Sequence, residues 1–72
     1  MSLLTIYTRI NRIHYLISQE KTGTPEQFAK KLQISRRQLY YDLKLLKDLN
    51  AEIKYCRGKE TFYYESPFEF KL

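Results

Sequence analysis

The chain has 72 residues, of which 43% are apolar and 29% charged, with a net charge of +5. A chain this short folds as one small domain, burying only about 60% of the surface its unfolded form exposes. That leaves a thin core and no deep catalytic cleft. One cysteine, Cys56, and one histidine, His14, are too few for an internal disulfide or a metal site.

The first element is expected over residues 3–20. Ile6, Ile10, Ile13 and Ile17 recur at steps of four, three and four, which puts them on one stripe of a helix. Leu3 and Leu16 widen the stripe, and Arg9, Arg12 and Gln19 fall off it. Ser2 is an N-cap candidate, and Gly23 is the expected left-handed residue after the helix. A second helix is expected over 25–32. Thr24 and Gln27 have capping-box spacing, and Pro25 occupies the first helical position, where a missing N–H costs nothing. Phe28 and Leu32 share its inner face. "QIS" then leaves room only for a sharp turn, so helices two and three read as a helix-turn-helix.

The third helix, 36–49, starts after Ser35. Leu39, Leu43 and Leu46 form its buried stripe, and at 100° per residue Arg37, Tyr41 and Lys44 point nearly opposite. Gln38 and Tyr40 flank them, Asp42 lies off the outer face, and Leu45 falls on the outer half. Asn50 is the expected left-handed residue at the end. A change to period two over residues 52–65, around a Gly58 turn, predicts a β-hairpin. Its inward positions are Ile53, Tyr55, Phe62 and Tyr64; Lys54, Cys56, Thr61 and Tyr63 are assigned outward. The last stretch, 66–72, reads as an extended tail. The fold class is therefore mainly α with a small β-hairpin: a single three-helix winged helix-turn-helix domain over residues 1–72.

The charge is unevenly placed. Residues 1–35 sum to +3, residues 36–59 to +4, and residues 60–72 to −2. A cationic stripe on one helix face and at a hairpin tip suits a polyanion. The duplex major groove admits one α-helix, and arginine can pair with guanine or grip a phosphate with two hydrogen bonds. The expected contact residues on helix 3 are Ser35, Arg36, Arg37, Gln38, Tyr40, Tyr41 and Lys44. On the wing they are Lys54, Arg57, Gly58 and Lys59, with Gly58 allowing close approach; at the start of helix 2, Thr24. Tyr7, Tyr15, Tyr55 and Tyr64 are expected half-buried.

"TPEQFAKKL", "ISRRQLYYDL", "LKDLNAEI" and "YYE" resemble the DeoR-type winged helix-turn-helix of bacterial transcription regulators, over about Arg9 to Phe70. The resemblance is nearest to the version fronting regulators with a WYL effector domain, and extends to the module of biotin ligase repressors. It implies sequence-specific binding of double-stranded DNA, usually as a dimer, with "SRRQLYYDL" in the recognition helix. Three positions depart from the family pattern. Gln33 stands where a glycine is common, so a non-glycine must take the turn. Tyr41 stands where arginine is frequent, and the wing lacks its usual glycine pair.

The expected function is that of a transcription regulator or its DNA-binding module, cytoplasmic and nucleoid-associated. The chain stands alone or fronts a longer regulator. The expected partners are double-stranded DNA and a homodimer mate or another protein, with no membrane, cofactor, metal or small-molecule ligand. No nucleophile–base pair or phosphate-binding glycine loop appears, so an enzyme is not expected. Two other readings fit the same features: a protein-interaction winged helix without base readout, and RNA binding through the aromatics.

Overall fold

The computed structural model describes residues 3–69. Three helices, α1 (Leu3–Ser18), α2 (Pro25–Leu32) and α3 (Arg36–Asp48), are followed by an antiparallel hairpin of β1 (Ile53–Cys56) and β2 (Thr61–Tyr64). The fold is the mainly helical winged helix-turn-helix expected from the periodicities. Ser2 and the last three residues of the tail, Phe70, Lys71 and Leu72, lie outside the described residues.

The core collects one stripe from each element. Ile10, Ile13 and Ile17 of α1 meet Phe28, Ala29 and Leu32 of α2, and Leu39, Leu43 and Leu46 of α3. Ala51, Ile53 and Phe62 close it from the hairpin side. Phe62 contacts the rings of Phe28 and Tyr55, with centroids 5.7 and 5.0 Å away. Aromatic pairs at such separations add to the burial of their area.

The helix starts follow the side chains available. Thr24 caps α2 by accepting from the Gln27 N–H at 3.2 Å, while the Gln27 side-chain oxygen accepts from the Thr24 N–H at 2.9 Å. Gly23 precedes this box at φ 76°, and a β-carbon there would collide with that committed Gln27 oxygen. Ser35 caps α3 by accepting from the Gln38 N–H at 3.0 Å.

All three helices stop in the same way. A residue with left-handed backbone follows, and two reversed hydrogen bonds close the last turn. After α1 this residue is Glu20 (φ 54°), with Glu20 N–H bonded to the Ile17 carbonyl and Lys21 N–H to the Leu16 carbonyl. The helix therefore ends two residues earlier than expected, and Glu20 rather than Gly23 terminates it. After α2 it is Gln33 (φ 58°, ψ 43°), and after α3 it is Asn50 (φ 77°), both as the sequence predicts.

The hairpin departs from expectation at its tip. Cys56 pairs with Thr61, so residues 57–60 form a four-residue loop, and its left-handed residue is Glu60 (φ 52°), not Gly58. A β-carbon on Gly58 would meet nothing, so the turn does not require glycine there. Thr61, assigned outward by alternation, is 2% exposed. It pairs with the buried Thr22 of the turn after α1: Thr22 Oγ1 accepts from the Phe62 N–H at 2.8 Å, and Thr61 Oγ1 from the Thr22 N–H at 3.3 Å. Each threonine thus satisfies a backbone donor that burial would otherwise strand.

Candidate nucleic-acid interface

α3 rests on α2 through its leucine stripe and turns its other side outward. Arg36, Arg37, Tyr40, Tyr41 and Lys44 are exposed, with Tyr41 the most open of the two tyrosines at 63%. Among the described residues, neither arginine nor Lys44 lies within ion-pairing distance of a carboxylate. Tail residues through Glu69 leave this face open. Phe68 packs instead against Tyr64 of β2 and His14 of α1, with ring centroids 5.3 and 5.9 Å away.

Asp42, nearly two helical turns into the same element, points the other way. It is fully buried and accepts from Arg9 of α1 twice, from Nε at 2.6 Å and from Nη2 at 3.1 Å. Gln38 joins this pair, its Nε2 donating to Asp42 Oδ1 at 2.9 Å. Arg9 falls off the apolar stripe of α1, as the spacing predicts, yet it does not point freely into solvent. It is half-buried, and it fastens α1 to α3. Gln38 likewise is only partly outward, with one amide N–H held from behind.

The remaining expected contact residues divide. Ser35 and Thr24 have their side-chain oxygens engaged as helix caps, which leaves each hydroxyl hydrogen available as a donor. On the wing, Lys54 sits 3.5 Å from Glu65, and Lys59 sits 3.8 Å from Glu20. Both pairs are exposed and weak, yet they reduce the positive field at the hairpin. Arg57 is exposed at the loop, without a carboxylate in reach among the described residues, and Gly58 next to it is open on all sides. The α3 group and the wing group sit on separate elements, and no described hydrogen bond or ion pair links them.

Two other expectations change. Tyr15 is 59% exposed and Tyr7 is 36% exposed, whereas Tyr55 and Tyr64 are half-buried as predicted. Leu45 remains 39% exposed and Leu49 is 54% exposed. Between α1 and β2, His14 Nδ1 lies 2.7 Å from the Tyr64 hydroxyl. Burial lowers the His14 pKa, with Glu69 acting in the opposite sense, and burial raises the Tyr64 phenol well above its ordinary value.

Sequence reasoning missed the Arg9–Asp42–Gln38 group because the helical wheel gives an angle and not a partner. Asp42 falls toward the buried side of its own helix, at 240° where Leu39 sits at 300°. A carboxylate in that sector needs a cation on a facing element, and Arg9 flanks the apolar stripe of α1. That was the available signal.

No helix among the described residues is long and apolar enough to cross a membrane, and no group of three or more His, Cys, Asp or Glu side chains gathers among them. No curated protein and no solved structure matches the chain. A family model described as an HTH domain matches residues 5–65, from the first turn of α1 to just past the end of the hairpin. With a capped bihelical turn, an outward cationic helix and a match across most of its length, the chain belongs to this HTH domain family, whose business is binding DNA.

Proposed function

We propose that the chain binds double-stranded DNA sequence-specifically, as a DeoR-type transcription regulator or its DNA-reading module, acting at the bacterial nucleoid in the cytoplasm. The observation that carries this reading is the placement of exposed cations on the helix expected to enter the groove. Arg37 and Lys44 share the outer face of α3 with Arg36 at its edge, all three are exposed, and among the described residues none of them is in an ion pair. Uncompensated cations on one rigid helix are electrostatically unfavourable in isolation and favourable beside phosphates.

The roles follow from donor chemistry. Arg37 and Lys44 lead at the centre of the face, with Arg36 at its edge. Tyr40 and Tyr41 present hydroxyl donors and ring surface to backbone and thymine methyl. Gln38 retains its carbonyl and a second N–H for a base. Ser35 and Thr24 offer hydroxyl hydrogens to phosphates near the helix starts. Arg57, Gly58, Lys59 and Lys54 flank the site from the wing, with Arg57 the strongest contributor. No small-molecule ligand enters this scheme.

Selection of duplexes from a random pool at two salt concentrations tests it. A recurring sequence should emerge, and affinity should fall with salt at a log–log slope of roughly 0.9 per phosphate contacted. Arg37→Ala should weaken the selected site by about 1–3 kcal/mol. A pool that stays random, or an Arg37→Ala variant that binds the selected duplex unchanged, defeats base reading by α3.

A second reading rests on Leu45 and Leu49. Together with Tyr41 they follow one another at steps of four along α3 and remain exposed. A protein partner docking on that flank would bury them with little dependence on salt, and the same salt series separates the two readings.

A further inference from the structure

Gln38 is held at both ends before anything binds. Its backbone N–H is taken by the Ser35 cap at 3.0 Å, and its side-chain Nε2 donates to Asp42 Oδ1 at 2.9 Å. The spacing of four residues lets the amide reach the carboxylate within one helix. Asp42 is itself fixed from outside the helix. Arg9 Nη2 donates to the same Oδ1 at 3.1 Å, and Arg9 Nε to Oδ2 at 2.6 Å. Asp42 is fully buried, so solvent does not compete for it.

The chemistry of the pair decides which way the amide lies. A carboxylate paired with a guanidinium only accepts, whereas an amide has a donating end and an accepting end. Turning the Gln38 amide over would set its oxygen against Asp42 Oδ1, acceptor against acceptor, at a buried carboxylate. One Nε2 hydrogen is therefore committed. The other Nε2 hydrogen is left, beside Oε1, which accepts from no described residue. The amide thus offers one donor and one acceptor side by side, in a set order.

We propose that Gln38 reads an adenine, and that Asp42, held by Arg9, is what makes it reject guanine. The inference rests on the DNA-binding reading and adds the base to it. In the major groove adenine presents an acceptor, N7, beside a donor, the N6 amino group; guanine presents two acceptors, N7 and O6. The fixed amide meets the adenine pattern with two hydrogen bonds. Against guanine its oxygen faces an acceptor. A free amide could answer by offering both Nε2 hydrogens, but one of them belongs to Asp42. Thymine and cytosine each offer only one of the two partners. Gln38 lies in the first turn of α3, the end of a recognition helix that meets base edges. Arg9 and Asp42 are positioning residues that touch no base.

The arrangement gives α3 two kinds of reader. Arg37 and Lys44 are exposed and in no ion pair among the described residues, so they can follow a guanine or a phosphate. Gln38 is half-buried and immobilised ahead of binding, so little side-chain freedom is lost when it meets a base. An amide that cannot turn also cannot adapt to the wrong pair, and specificity arises from that refusal as much as from the correct contact.

Duplex binding by the full chain and three variants tests the proposal. Selection from a random pool supplies the parent's site, and each position is then changed to the other three base pairs. One A·T pair should lose about 5- to 150-fold in affinity on replacement by G·C, the range for a two-bond base contact. Gln38→Ala should remove the preference at that position and at no other. Asp42→Asn supplies an amide that can donate to Gln38 Oε1, which lets Gln38 turn over. The adenine-over-guanine ratio should then narrow towards one, with preferences elsewhere kept. Arg9→Met with Asp42→Leu removes the acceptor together with its cation and should narrow the ratio in the same way, which covers a failure of Asp42→Asn to fold. A role confined to stability would weaken every duplex by one factor and leave the ratios alone. Folded variants that keep the parent's ratio overturn the proposal, and so does a parent site with no position sensitive to Gln38→Ala. Exchange of the Gln38 side-chain amide protons, followed by NMR without DNA, separates the two readings: it should be slow in the parent and fast in the double variant. If it is and no duplex is selected, the DNA-binding reading fails and adenine readout with it. If duplexes are selected and the ratios do not move, adenine readout alone fails.

Discussion

Asp42 is a carboxylate with no access to water, held by one guanidinium and one amide. Such a pair contributes little over a well-packed apolar one, but breaking it is expensive, because the survivor is a buried charge. Arg9 is only 13% exposed at its side chain. Asp42→Ala should therefore cost about 3–5 kcal/mol, measured by urea unfolding, a large part of the stability of a small domain. Replacing both partners at once, Arg9→Met with Asp42→Leu, should restore most of that loss. It should not restore the position of Gln38, whose amide loses its acceptor. A double variant that is stable yet changed in duplex preference identifies the group as a device for placing Gln38. At this scale the sequence was least informative. Arg9 and Asp42 are 33 positions apart, and nothing local marks them as partners. Thr22 and Thr61 escaped notice for the same reason: alternation sent Thr61 outward, while a buried hydroxyl across the turn drew it in.

At the scale of elements, the chain was largely legible. Isoleucine and leucine spacings predicted three helices whose spans match to within two residues, because helix period and burial agree along each one. The ends were harder. Each helix closes on a left-handed residue, and none of the three is glycine. Glycine signals could therefore not locate the stops, and Gly23 drew attention from Glu20. The backbone strain at these positions is a stability reserve. A left-handed non-glycine costs roughly 1–2 kcal/mol relative to its right-handed form, and glycine offsets part of this with its greater freedom when unfolded. Gln33→Gly should raise stability by about 0.5–1 kcal/mol. Gln33 is exposed and its backbone bonds would be kept. A thermal melt that moves down instead would mean that the Gln33 side chain contributes more than its strained backbone costs.

For the molecule as a whole, the contact of His14 with Tyr64 and Phe68 joins α1, β2 and the tail in one cluster. Its titration sets two limits on stability. Burial holds the folded His14 pKa below its ordinary 6.5, so near that pH the unfolded chain takes up more protons than the folded one. Stability should be complete above 6.5 and decline as pH falls from there through the folded pKa. Tyr64 acts in mirror image: burial raises its folded pKa above the ordinary 10, so its contribution is complete below pH 10 and declines above it. Unfolding free energies measured across pH should show both limbs. His14→Gln should flatten the acid one, and a variant with an unchanged acid limb would show that another group controls it.

Because the tie that sets the tilt of α3 comes from the opening turns of α1, the two-helix motif is not a portable unit in this protein. A peptide cut to residues 24–50 would retain both caps and the turn at Gln33, yet strand Asp42 without its cation. The exposed cationic face of α3 thus depends for its aim on a residue of the helix that precedes the motif, and grafting the motif alone would carry over its letters without its orientation.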